Sequence, residues 1–200
     1  MKHLATLSFL LLIAPPCFHA GTVATPTPVP IAVKFLDLFD QLRAAQNRAP
    51  DHNNHVAFRL SENDINEYMR YSLKTTPRPG LEAVTIKLFS KDYISTFTQI
   101  DLDAVERWRP GTIPAILRPL LKGKKTLWID CRIHAYDSSL TFNVEKARFE
   151  DVPLPALFVN KVIQIMAARQ PEKYDTSKPI PMPFGLRKVW TGDRVIYGNN

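Results

Sequence analysis

Two hundred residues are enough for one domain with a full-sized core. Lysine and arginine exceed aspartate and glutamate by 26 to 19, a net charge of +7 that suits solubility or contact with anionic headgroups. No zinc-ligand spacing, heptad zipper or arginine-rich arm accompanies the charge, so no nucleic-acid partner is expected, and seven glycines leave little room for phosphate-cradling loops.

The first segment reads as an export signal. Met1-Lys2-His3 is a basic head, 4–14 is an apolar run too short to span a bilayer, and Thr22-Val23-Ala24 is a small-x-small cleavage site. This predicts a signal peptide over 1–24 and a periplasmic or secreted protein starting at Thr25. Its charge is +6, one less than +7, because Lys2 is the one charged residue removed. Cys17 follows Ala14-Pro15-Pro16, which is no lipobox, so no lipid is expected on it. Cys131 is then without an intrachain partner, and its alternating setting (Ile129-Asp130-Cys131-Arg132-Ile133) marks it as a small core residue.

Residues 25–54 are expected to precede a single domain over 55–200. Thr25-Pro-Thr-Pro-Val-Pro30 is an extended tether. In 31–46, Phe35, Leu38, Phe39 and Leu42 recur at helical spacing and predict an amphipathic helix. A loop follows over 47–54, where His52 and the nearby His55 sit three apart beside Asp51 but without a third well-placed ligand for a metal. Residues 56–60 predict a short strand. Ser61 is a helix N-cap, with Asp64 three residues on, and the helix over 62–73 turns Ile65, Tyr68, Met69 and Leu73 to one side. Two strand pairs are predicted next, 81–89 with 93–102 and 126–136 with 140–149. The alternation in the last strand slips phase near Lys146, as at a bulge.

The stretch 152–169 organises this reading. Pro153 and Pro155 suit a helix entrance. Leu154, Leu157, Phe158, Val162, Ile165 and Met166 form an apolar stripe, widened by Val159, Ile163 and Ala167. A helix this apolar, predicted over 154–168, needs cover on most of its circumference. A proline-rich segment over 171–183 and a hairpin over 184–197, turning at 191–193, complete the chain.

Catalytic signatures are missing: there is no Gly-x-Ser-x-Gly, His-Glu-x-x-His or dinucleotide fingerprint. Asp101 with Asp103, and Glu150 with Asp151, fall at strand ends where solvated carboxylates are common, and His134 falls on an outer strand face. No enzyme activity, cofactor or metal is expected. The connector over 106–125 is amphipathic: Ile113, Ile116, Leu117, Leu120 and Leu121 oppose six cations. Within it Arg107, Trp108, Arg109 and Arg118 are the candidates for a membrane-facing rim.

These readings imply an α+β fold: a strongly curved antiparallel sheet wrapped around a long apolar C-terminal helix, with shorter helices before it. The strand–helix corner Phe58-Arg-Leu-Ser-Glu-Asn-Asp-Ile-Asn-Glu-Tyr-Met leads into two long strand pairs split by a leucine-containing connector. Val152-Pro-Leu-Pro then leads into the apolar helix, and Pro179-Ile-Pro-Met-Pro-Phe-Gly into the closing hairpin. Over about residues 55–198 this arrangement resembles small TULIP-type (tubular lipid-binding) proteins of bacterial envelopes. The resemblance implies an apolar groove for acyl chains between sheet and helix, and no shared catalytic residues. The expected groove residues, on the apolar phases of the strands and the helix, are Ile86, Leu88, Ile100, Leu127, Ile129, Phe142 and Phe158. The expected partners are a lipid or another apolar small molecule, and an anionic membrane surface. The competing expectation is an envelope scaffold with the same fold and a filled core.

Overall fold

The computed structural model describes residues 29–47, 55–108, 110–111, 122–155, 157, 159–160, 164 and 178–200. Its elements run α1 (Pro30–Gln46), β1 (Ala57–Ser61), α2 (Glu62–Thr75), β2 (Leu81–Phe89), β3 (Tyr93–Asp101), α3 (Leu102–Trp108), β4 (Lys124–Tyr136), β5 (Ser139–Phe149), β6 (Val152–Leu154), β7 (Ile180–Pro181), a 3-10 turn (Pro183–Gly185), β8 (Lys188–Gly192) and β9 (Val195–Asn199). The fold is α+β. One antiparallel sheet runs β1-β9-β8-β4-β3-β2, and β5 branches from β4 to pair with β6 and β7.

Alternation in the sequence becomes two faces in the sheet. On β2, Val84, Ile86 and Leu88 are buried while Thr85, Lys87 and Phe89 are exposed. Tyr136 and Ser139 pair across the two residues Asp137 and Ser138, both at positive φ, the type I′ geometry that matches strand twist. The β4–β5 ladder shifts between Asp130↔Lys146 and Cys131↔Val144, leaving Glu145 as the extra residue of a bulge. That bulge is the phase slip visible in the sequence. It lets Val144 and Ala147 both be buried.

The sheet curls without closing. At the β8–β9 tip, the Arg194 N–H donates to Leu88 O of β2 at 3.0 Å, and Thr191 N–H donates to Asp92 Oδ1 at 2.9 Å. The Thr191 hydroxyl adds a bond to Phe89 O. The β2 edge and the β2–β3 turn are thereby fastened to the β8–β9 hairpin, which lies beyond β3 and β4 along the path. On the concave side lies the main core cluster, into which α1 and α2 send Phe35, Leu42 and Met69. A second cluster of Ile129, Val144, Ala147 and Val159 lies under β4 and β5.

Helix α2 is placed by its start and by its side chains. Ser61 Oγ accepts from Asp64 N–H at 3.1 Å while Asp64 Oδ2 accepts from Ser61 N–H at 2.9 Å, a complete capping box. One turn on, Asn66 behaves as a substitute strand for the free edge of β2. Its Nδ2 donates to Ile86 O at 2.8 Å and its Oδ1 accepts from Ile86 N–H at 2.7 Å. Glu62 Oε2 accepts from Leu88 N–H at 2.9 Å. Side chains four apart on a helix here serve backbone groups two apart on a strand, so the edge is both satisfied and shielded.

Three expectations are corrected. Leu102, read as the last inward residue of a strand, opens α3, because the Asp101 carboxylate accepts from Ala104 N–H at 3.0 Å and caps a helix there. Gly80 makes room for that helix: it sits at φ +82°, and a Cβ on it would overlap Val105. Val152 to Leu154, read as a helix entrance, forms β6 on the edge of β5, where Pro153 needs no ladder N–H. The final hairpin turns at Asp193 and Arg194, with Gly192 still paired to Val195. The apolar helix over 154–168 lies largely outside the described residues. Of its positions after β6, Leu157, Val159, Asn160 and Gln164 are helical, Val159 is buried and Leu157 is exposed. No long apolar C-terminal helix is shown. Among the described residues no helix is long and apolar enough to cross a membrane, which says nothing of strands.

Candidate functional site, an apolar cavity beneath the first helix

Helix α1 begins at Pro30, whose missing N–H is harmless in a first turn, and its periodic apolar residues face the sheet. Phe35 stacks on Tyr68 of α2 at 4.3 Å between ring centroids and 7° between planes. Phe39 stacks on Phe184 of the 3-10 turn at 5.7 Å, and the Arg43 guanidinium lies 5.9 Å from the same Phe184 ring. One ion pair joins the helices at their near ends, Lys34 Nζ to Asp64 Oδ2 at 2.8 Å. Partial burial of Asp64 opposes its ionisation, but hydrogen bonds from Lys34 and Ser61 outweigh this and hold its pKa below the ordinary value.

Beneath this lid is a cavity of about 130 Å³. Phe35, Leu38, Phe39 and Leu42 of α1 form its roof, and Ile65, Tyr68 and Met69 of α2 form one wall. Phe58, Leu60, Ile86, Leu88 and Ile94 of the first three strands form the floor, with Leu186, Val189 and Ile196 at the far side. Every lining side chain is aliphatic or aromatic except the thioether of Met69. Phe58 lies flat across β9 because its partner there is Gly198, whose Cβ would overlap the ring. The volume is close to that of the ~150 Å³ apolar cavities that stay dry and admit one benzene-sized molecule. At rest it has space for the end of an alkyl chain and not for a whole lipid.

The expected groove residues divide between two places. Ile86 and Leu88 line the cavity. Ile100 packs against the main cluster outside it, Ile129 belongs to the second cluster, Leu127 packs on the second, and Phe142 touches both. Phe158 lies outside the described residues. Of the expected rim, Arg107 and Trp108 end α3, with Trp108 55% exposed and Arg107 at 3.9 Å from Asp101, while Arg109 and Arg118 lie outside the described residues. The roof was not anticipated. The signal for it, Phe35 through Leu42 at helical spacing, is plain, but periodicity does not say which surface a helix will cover.

The outer face of the sheet carries another aromatic set. Lys188 Nζ sits 5.1 Å from the Tyr136 ring and 4.9 Å from Trp190, Trp190 stacks on Tyr197, and Arg148 covers Trp128 at 5.6 Å. These rings lie against one another and against cations across neighbouring strands, as cross-strand pairs that stiffen a sheet do.

Cys131 sits on β4 between the two clusters. Burial above all, then the charges of Asp130 and Glu145, pushes its thiol up from 9.0 to about 11. The folded chain therefore keeps a proton that the unfolded chain has lost, and this part of the stability falls as pH rises from about 9 to about 11. Cys131→Ala should lose less stability than wild type between pH 8 and 10.5 in urea titrations; equal losses would place the thiol in water. No group of three or more His, Cys, Asp or Glu gathers as a metal site among the described residues. No family model, curated protein or solved structure matches the chain.

Proposed function

We propose that this protein is a noncatalytic holder of a lipid or another long apolar molecule, received beneath α1. The observation that carries the reading is the wholly apolar cavity roofed by one helix. A protein core is ordinarily packed to the density of an organic crystal, and a void of this size forfeits stability unless something fills it. Entry of a full alkyl chain requires α1 to lift, and α1 is fitted for that. It is one helix held by side chains. Phe35 and Phe39, one turn apart near its middle, stack on Tyr68 and Phe184, Ala32 and Leu42 are buried, and a half-exposed ion pair ties its first turns to α2.

A finer form of the same proposal concerns the second cluster. Ile129, Val144, Ala147 and Val159 would form one wall of a groove completed by the apolar helix after β6, giving the sheet-around-helix architecture of TULIP-type proteins. We propose export on the strength of residues 1–24. Native mass spectrometry of the purified protein tests both parts at once. The expected result is a chain starting near Thr25, with no lipid adduct on cysteine, that carries a co-purified apolar molecule released at high collision energy. A ligand-free spectrum, and no uptake of added fatty acid, would favour the scaffold reading, in which the core is simply imperfectly filled.

A further inference from the structure

On its outward side α1 carries a second apolar surface. Val29, Val33 and Leu36, spaced four and three apart, are each 42–48% exposed and share one face of the first two turns. They contribute nothing to the cavity, whose roof comes from the opposite arc of the helix. A helix apolar on two sides has one side without a partner. Next to the stripe, and sharing Val29 with it, is an open depression of about 440 Å³ between the start of α1 and α2. Its apolar wall is Val29, Pro30, Ile31 and Tyr71, and its polar rim is Arg70 and Lys74. Those two cations lie one turn apart on α2, and neither pairs with an acid among the described residues. One acid is present, Glu67, which accepts from Asn63.

We infer that this end of the molecule docks on an anionic bilayer, with the Val29–Val33–Leu36 stripe entering the headgroup boundary and Arg70 and Lys74 facing the lipid phosphates. Charge complementarity selects this occupant: two cations without an acid partner among the described residues stand beside an aliphatic stripe of about two helical turns, ~10 Å long. Of the exposed acids on this side of α1, Asp40, one turn beyond Leu36, is neutralised by Arg43 at 2.8 Å, and Asp37 lies on the flank of the stripe. An acidic amphipathic peptide offers the same chemistry from a protein, and the test separates the two. The docking places the cavity's roof, the element that must move, against the source of apolar ligand. For that purpose it rests on the ligand-holding reading; for the contact itself it does not.

The experiment is flotation of the full chain with vesicles of phosphatidylcholine alone or mixed equally with phosphatidylglycerol, alongside decanol affinity in solution. Wild type should bind the anionic vesicles at least tenfold better than the neutral ones, and less well as salt rises. Val33→Asp with Leu36→Asp should lower anionic binding at least tenfold and leave decanol affinity unchanged. Arg70→Glu with Lys74→Glu should abolish the preference for anionic vesicles. Arg107→Glu with Trp108→Ala tests the expected rim at the end of α3 against this surface: a loss of vesicle binding as large as that of the Val33/Leu36 variant would place the contact there and overturn the inference. Wild type that ignores vesicles, or a Val33/Leu36 variant that binds them as wild type does, overturns the inference, and in the first case an acidic peptide becomes the better occupant. Vesicle binding that follows these expectations without decanol uptake supports the docking and overturns the ligand-holding reading instead.

Discussion

Phe35→Asp should release α1 from the domain, at a cost of several kcal/mol, and abolish high-affinity binding of apolar ligands. Phe35 is almost fully buried, stacks face to face on Tyr68 and meets Phe39 edge-on at 6.0 Å. Truncating a buried phenylalanine costs about 3–5 kcal/mol, and a carboxylate without a partner in the same place costs more. The loss should be local. The sheet keeps its own ladders and its own contacts with α2, so hydrogen exchange should show α1 amides unprotected while those of β2, β3 and β4 remain slow. Urea midpoints and exchange rates equal to wild type would mean that α1 is not a structural roof.

Asn66→Leu should be nearly as damaging, for a different reason. Leucine preserves the bulk of the side chain and removes both bonds to Ile86, leaving a strand N–H and C=O beneath a helix without partners. Each orphaned group costs about 1–3 kcal/mol. The uncovered edge is also a template for pairing with another chain. The expected result is a lower urea midpoint together with concentration-dependent association by light scattering. A leucine variant as stable and as monodisperse as wild type would show that water satisfies Ile86 and that Asn66 is no edge cap.

The longer strands were legible because their faces alternate; β6 and β7, two or three residues long and each holding a proline, were not. The inward residues of β2 and β4 and the bulge of β5 could be read from period two and its interruption. The capping box at Ser61 and Asp64 was legible because it is a local device spanning four residues. What escaped the sequence was long-range. Asn66 was an ordinary polar helix residue until its distance from β2 was known, twenty residues along the chain. The turn of α3 at Leu102 escaped because an apolar residue continues a strand pattern equally well, and the Asp101 cap decided between them. The cavity escaped for the same reason as its roof: Phe35, Leu38, Phe39 and Leu42 are visible as a face, but the strands they meet arrive from Phe58, Ile86, Ile94 and the last hairpin. A gap among apolar residues has no sequence signature, because filled and unfilled cores use the same side chains.

The most direct test of the central claim is the affinity of the protein for n-alkanols of increasing length, measured by calorimetry. A cavity of about 130 Å³ with a fixed roof has space for only a few methylenes. If α1 lifts to admit the rest of the chain, each added methylene should strengthen binding about fourfold, from ~0.8 kcal/mol per buried CH₂, and the gain should continue through decanol and beyond. Affinity that stops rising near pentanol or hexanol, or is absent at every length, would contradict a mobile roof over a lipid site and leave the cavity as a packing defect.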